Sequence, residues 1–350
     1  MHFFLLKIFT VKKPAFLSDT VNMDFLPTDF EDFLAPDCNR FIFLQNLLKK
    51  LSIPFSILTL ENCNHICIQF PSHSYNPMFK MKIVLVHYDR AVSARGDYIT
   101  PGANDNSAAV YQVLHWAKKL LDDSITQPGK IHNIRIFFTD GEELASAKEQ
   151  GSFGLASHLK RPGRNNDDVF VLDGCGRGDV LAVSLAGKNS PASASFTRQF
   201  NSLFERACNL VKEASGEKWI TIPVPYSDNA GFLACGIPAV ALTVLPSEEA
   251  TAYMRHLQKD KKFARAVMTN GVVSHDAGFL RLGFERDKNT VAKLRELNID
   301  PADALLLSEK LPRTWRIMHT EYDNSGSLTR EAFVLTERFL DCLALHKVPV

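Results

Sequence analysis

A chain of 350 residues, 45% of them hydrophobic, can bury a large core and has a length suited to one big domain or two ordinary ones. Lys and Arg (40) nearly balance Asp and Glu (39), so no single-sign field is available to hold a polyanion, and nucleic acid is excluded as an expected partner. The seven cysteines include no tight CxxC pair, which argues against a disulfide framework or a cysteine zinc site and favours a reducing compartment.

In chain order, residues 1–36 show no strong period and contain Pro14, Pro27 and Pro36, so they read as an irregular leader. The start is largely apolar to Phe9, but Lys12 and Lys13 follow it and no small-residue cleavage site appears. A signal peptide places its charge before the apolar run, so a cytoplasmic location is expected. No stretch approaches the ~20 apolar residues of a membrane span. Helical spacing begins near Cys38, with Phe41, Leu44, Leu47, Leu48 and Leu51. Strand-like runs at 54–60 and 63–70 flank Glu61-Asn62 as a hairpin turn, and 83–86 is a continuous apolar run of the kind buried on both faces.

The alternation then becomes regular. Val110, Val113, Leu114, Ala117, Leu120 and Leu121 mark an amphipathic helix, with Asp105, Asn106 or Ser107 as its cap. Strands are expected at 134–138, 169–172, 180–185 and 239–245, and helices at 151–159, about 195–213 and 328–345. Strands alternating with helices predict an α/β domain built on a largely parallel or mixed sheet. The domain is expected to span 37–350, with 248–312 as a charged, helix-prone insertion.

Five polar clusters are each expected at the end of a strand: VHYD (86–89), PGANDNS (101–107), DGEE (140–143), LDGCG (172–176) and MHTEYDN (318–324). In α/β sheets, ligands bind beyond the carboxyl ends of the strands. A two-metal hydrolytic site needs imidazoles, metal-binding carboxylates and one further carboxylate to take a proton from water. His87 and His319, then Asp105, Glu143 and Asp173, then Glu142 supply that inventory. Taken singly, each has an ordinary reading. Adjacent acids such as Glu142 and Glu143 are common on solvated surfaces, Asp173 before Gly174 could form a turn, and PGANDNS could be a turn and helix cap. His256 and His275 fall in the charged insertion and are not expected to be ligands. Tyr226 and Phe232 suit either a pocket or the core.

The ordered set HxD, Gly-rich turn with Asp, Glu-Glu, strand-end Asp and late His-Thr resembles peptidase family M28, the co-catalytic zinc aminopeptidases and their relatives. The segments PRTWRIMHTEYDN (312–324) and YSDNAGF (226–232) are also similar, and the likeness covers roughly residues 54–345. It implies the zinc-dependent exopeptidase fold, a single α/β domain with a mixed, mainly parallel sheet sandwiched by helices, and an aminopeptidase acting on peptides with two zinc ions. Asp105 would bridge the ions, with His87 and Asp173 completing one and Glu143 and His319 the other. Glu142 would be the general base and Asp89 the partner of His87. The chain departs in carrying Ser227-Asp228-Asn229 where many members have SDH, and in a longer loop between Glu143 and Gly151. That loop also resembles the single-zinc glutaminyl cyclases, which share the fold but place a Trp directly before the late His, where Met318 stands here. A glutaminyl-peptide cyclotransferase is therefore the alternative, and a non-catalytic relative a third reading.

Overall fold

A computed structural model describes residues 24–93, 96–144, 150–160, 167–188, 192–269 and 309–350. Its centre is an eight-stranded sheet in the order β1-β2-β4-β3-β5-β8-β6-β7. The strands are β1 (Phe55–Leu60), β2 (Cys63–Ile68), β3 (Lys82–His87), β4 (Ile134–Thr139), β5 (Asp168–Leu172), β6 (Val180–Ser184), β7 (Trp219–Ile222) and β8 (Ala239–Leu245). The β4-β3-β5-β8 block and the β6-β7 pair are parallel, whereas β1-β2, β2-β4 and β6-β8 are antiparallel. The sheet is thus mixed and mostly parallel, as the sequence pattern predicts.

The apolar run of β3 explains its place. Alternate side chains of a strand point to opposite faces, and here both faces are covered. Val84 and Val86 enter one hydrophobic cluster, with the helices α1 (Phe30–Leu34), α2 (Arg40–Lys50), α3 (Ala108–Thr126), α5 (Ala194–Ser215) and α10 (Arg330–Leu345). Ile83 and Leu85 enter another, with α4 (Gly151–Leu159) and α6 (Asn229–Ala234). A third cluster packs α7 (Ser247–Lys259), α8 (Lys261–Thr269) and α9 (Arg313–Ile317) beside β6 to β8, around Tyr253, Phe263 and Trp315. Among the described residues, no helix is long and apolar enough to cross a membrane. All seven cysteines are unpaired.

The structure corrects two expectations. Helix α1 falls inside the segment read as irregular, because Phe30, Phe33 and Leu34 at i, i+3 and i+4 bury one short face against Tyr111. Strand β7 escaped notice because it has only four residues and three of them are half-buried, leaving no alternation to read. Of the 248–312 stretch, residues 270–308, His275 among them, lie outside the described residues.

At the amino ends of the strands, away from the polar clusters, Arg206 of α5 grips Asp168 through Nε and a terminal nitrogen at 2.7 and 2.6 Å. Asp168 is 2% exposed, and its other cation, Lys80, stands 3.8 Å away. Removing one partner of a buried pair strands the other charge. Arg206→Met should therefore lower stability by ~3 kcal/mol, read as a fall in urea midpoint at constant slope. An unchanged midpoint would show that the pair is energetically silent.

Candidate metal centre

Three adjacent parallel strands set the site. Each ends at the same edge of the sheet, so the residues after them converge: His87 closes β3, Glu142 and Glu143 follow β4, and Asp173 follows β5. Asp105 sits in the tight turn Ala103–Ser107 that opens α3. Gly102 makes that turn possible. Its φ is +60°, and a side chain there would collide with the Asp105 carbonyl. His319 arrives from the loop after α9, with a left-handed backbone at φ +57° that an L residue seldom adopts.

These side chains meet. One oxygen of Asp105 lies 3.3 Å from His87 Nε2 and the other 3.0 Å from His319 Nε2. Asp173 stands 3.7 Å from His87 Nε2, and Glu143 stands 3.0 Å from His319 Nε2. Two trios result, His87-Asp105-Asp173 and Asp105-Glu143-His319, sharing Asp105. In each, one ligand atom per residue lies within 4.8 Å of the others, and His87-Glu142-Glu143 forms a third such group. Asp89 reaches His87 Nδ1 at 3.4 Å with one oxygen and accepts the Glu143 N–H at 3.0 Å with the other. It thus ties the end of β3 to the loop after β4. His256 belongs to none of these groups and stacks edge-on near Phe263.

The electrostatics are those of a crowded anionic pocket. Burial pushes the Glu142 carboxyl well above the usual range; His87 pulls it down, but Glu143, Asp173 and Asp228 push it further up. For His87, burial alone would lower the pKa, yet Glu142, Asp105, Asp173 and Asp89 outweigh it and hold the ring well above the usual histidine value. Burial likewise opposes ionisation of Asp105, and the two histidines overcome it, holding the carboxyl well below its usual range. Asp228 is raised to about 6 by burial, even though His87 and the Thr139 hydroxyl, which donates to it at 2.5 Å, favour its charged form.

A divalent cation fits this set. The donors are imidazole nitrogens and carboxylate oxygens, the pair of types that zinc takes. Among the described residues, neither nitrogen of the buried His87 completes a hydrogen bond, facing carboxylates at 3.3 to 3.7 Å instead, and one oxygen each of Glu143 and Asp173 likewise lacks a hydrogen bond. Buried polar atoms of this kind ordinarily find a partner, and the concentration of carboxylates calls for positive charge.

Sequence reasoning missed Asp323. It is fully buried, raised to about 7 by burial and by Asp105, and accepts the backbone N–H groups of Asn104 at 2.8 Å and Asp105 at 3.1 Å. It anchors the turn that carries Asp105. Its place inside MHTEYDN was visible, but the backbone it would grasp was not. Phe232 is core, packed with Ile83 and Val171.

The model of peptidase family M28 matches residues 74–274, more than half of the chain. This chain belongs to that family. Among solved structures, a Zn-dependent exopeptidase from Parabacteroides distasonis aligns over 91% of this chain and 95% of its own, at 14% identity and a TM-score of 0.54. Porphyromonas gingivalis glutaminyl cyclase aligns over 90% and 95%, at 12% identity and a TM-score of 0.51. BSAP, a zinc aminopeptidase from Bacillus subtilis, aligns over 80% of this chain at 16% identity and a TM-score of 0.45. The M28 chain spans about half of that protein's length (49%). At these identities the likeness is one of fold. No curated protein is matched at the level of sequence.

Proposed function

We propose that this M28 peptidase is a zinc aminopeptidase that removes N-terminal residues from peptides. The observation that carries the reading is the placement of Asp105, with one carboxylate oxygen beside each histidine. His87 and Asp173 would hold one zinc, Glu143 and His319 the other, and Asp105 both. Bound there, the pair would lower the pKa of a water and polarise the scissile carbonyl.

The remaining chemistry belongs to the chain. Glu142 adjoins a ligand in sequence and is 3% exposed, so it can take a proton from water and return it to the leaving amine without losing it to solvent. Its raised pKa suits a group that must carry a proton in mid-reaction. A neighbouring dication would lower that pKa, favouring the carboxylate at the start. Asp89 holds the His87 ring and the Glu143 backbone together, so the two halves of the site keep their spacing.

Metal content of the purified chain, with hydrolysis of aminoacyl anilides in the presence and absence of chelator, tests the reading. About two zinc ions per chain and chelator-sensitive release of N-terminal residues are expected. One zinc, no anilide hydrolysis and cyclisation of N-terminal glutamine would replace it with the cyclase reading. Trp315 favours the peptidase of the two. It is 2% exposed and packs edge-on against Tyr253 at 5.2 Å, and Met318, not a Trp, stands directly before His319. No metal and no turnover would sink the enzyme.

A further inference from the structure

Arg40 lies on α2, upstream of the residues that the family model covers. It is a buried cation, 5% exposed, and its hydrogen bonds go to carbonyl and hydroxyl oxygens. Nε donates to the Phe33 carbonyl at 3.3 Å, and one terminal nitrogen donates to the carbonyls of Tyr88 and Asp89, both at 3.2 Å. The other terminal nitrogen donates to the Pro101 carbonyl and the Ser107 hydroxyl, both at 2.7 Å. The Ser107 hydroxyl in turn donates to the Gly102 carbonyl at 2.6 Å. The guanidinium also sits 4.6 Å from the centre of the Phe33 ring.

Those acceptors belong to two loops with different tasks. Tyr88 and Asp89 continue from His87, and Pro101, Gly102 and Ser107 frame the turn that carries Asp105. The grip is returned by Arg90, which donates to the carbonyls of Leu34 and Ala35 at 3.0 Å, Pro36 at 3.2 Å and Cys38 at 3.3 Å. A guanidinium presents its N–H groups in a rigid planar fork, so it fixes the relative position of what it binds, not merely the local charge. Lysine, a point charge on a flexible stem, cannot do this.

We propose that Arg40 is a positioning residue for the metal centre: by pinning the 88–89 loop to the 101–107 turn, it holds Asp105 at bridging distance from His87. The proposal rests on the metal-binding reading above. Its cationic charge, close to Asp89 and Asp105, also offsets part of the repulsion among the buried carboxylates.

Zinc affinity of the full chain, measured by competition with a chromophoric chelator, is the test, alongside the melting temperature of the metal-free protein. Losses of 10- to 100-fold are typical when the supports of metal ligands are removed. Arg40→Lys and Arg40→Met should each weaken zinc by about that factor, with the lysine giving no rescue although it keeps the charge. Arg206→Met, remote from the site, should lower the melting temperature and leave zinc affinity intact. Should Arg40→Met fail to fold, Ser107→Ala removes one acceptor on the Asp105 side and should still weaken zinc several-fold. Wild-type affinity in Arg40→Lys or Ser107→Ala, or an equal loss in Arg206→Met, would overturn the positioning role. Wild-type protein that binds no zinc would overturn this role and the proposed function together.

Discussion

Glu142→Gln should keep the zinc content of the parent while turnover falls by about 10²- to 10⁴-fold, the usual scale of a lost general base. The amide preserves the volume of a side chain that is 3% exposed, so packing is disturbed little. What is lost is the ability to accept a proton. Because the two ligand trios that share Asp105 do not include Glu142, metal analysis and single-turnover kinetics separate the two roles. A variant that loses metal would show Glu142 to be a ligand. A variant with parental turnover would place the base elsewhere, and Asp228, which is also buried and raised, would be the next group to replace.

Asp105→Ala should have the opposite signature: both ions lost, and activity with them. Each trio loses its common member, leaving His87 with Asp173 on one side and Glu143 with His319 on the other. Two protein ligands fall short of the three that a catalytic zinc ordinarily keeps. Metal content below one ion per chain, in a protein whose circular dichroism matches the parent, is the expected result. Two ions retained without Asp105 would end its role as bridge. One ion retained would point to the single-metal arrangement.

Much of this was legible in the sequence for a physical reason. A strand buried on both faces needs an unbroken apolar run, so residues 83–86 could be read from the sequence as a strand covered on both sides. Parallel strands share a direction, so polar residues after such runs must collect at one edge, and His87, Glu143 and Asp173 do. The supports were not legible. Arg40 and Asp323 bind backbone carbonyl and amide groups, which every residue type presents alike, so no spacing or composition marks them. Helix α1 and strand β7 were hidden by shortness, since a period needs more than four or five residues to appear.

The order of the trios along the chain bears on how the site is made. His87, Asp105 and Asp173 lie in the first half of the sequence, and His319 lies near its far end. During synthesis the amino-terminal portion leaves the ribosome first, so the residues of the first trio are made well before His319. The first trio nonetheless leans on later chain, because β5 pairs with β8 and Asp323 grips the turn that carries Asp105, so the geometry of both trios is set only when the last part of the chain is made.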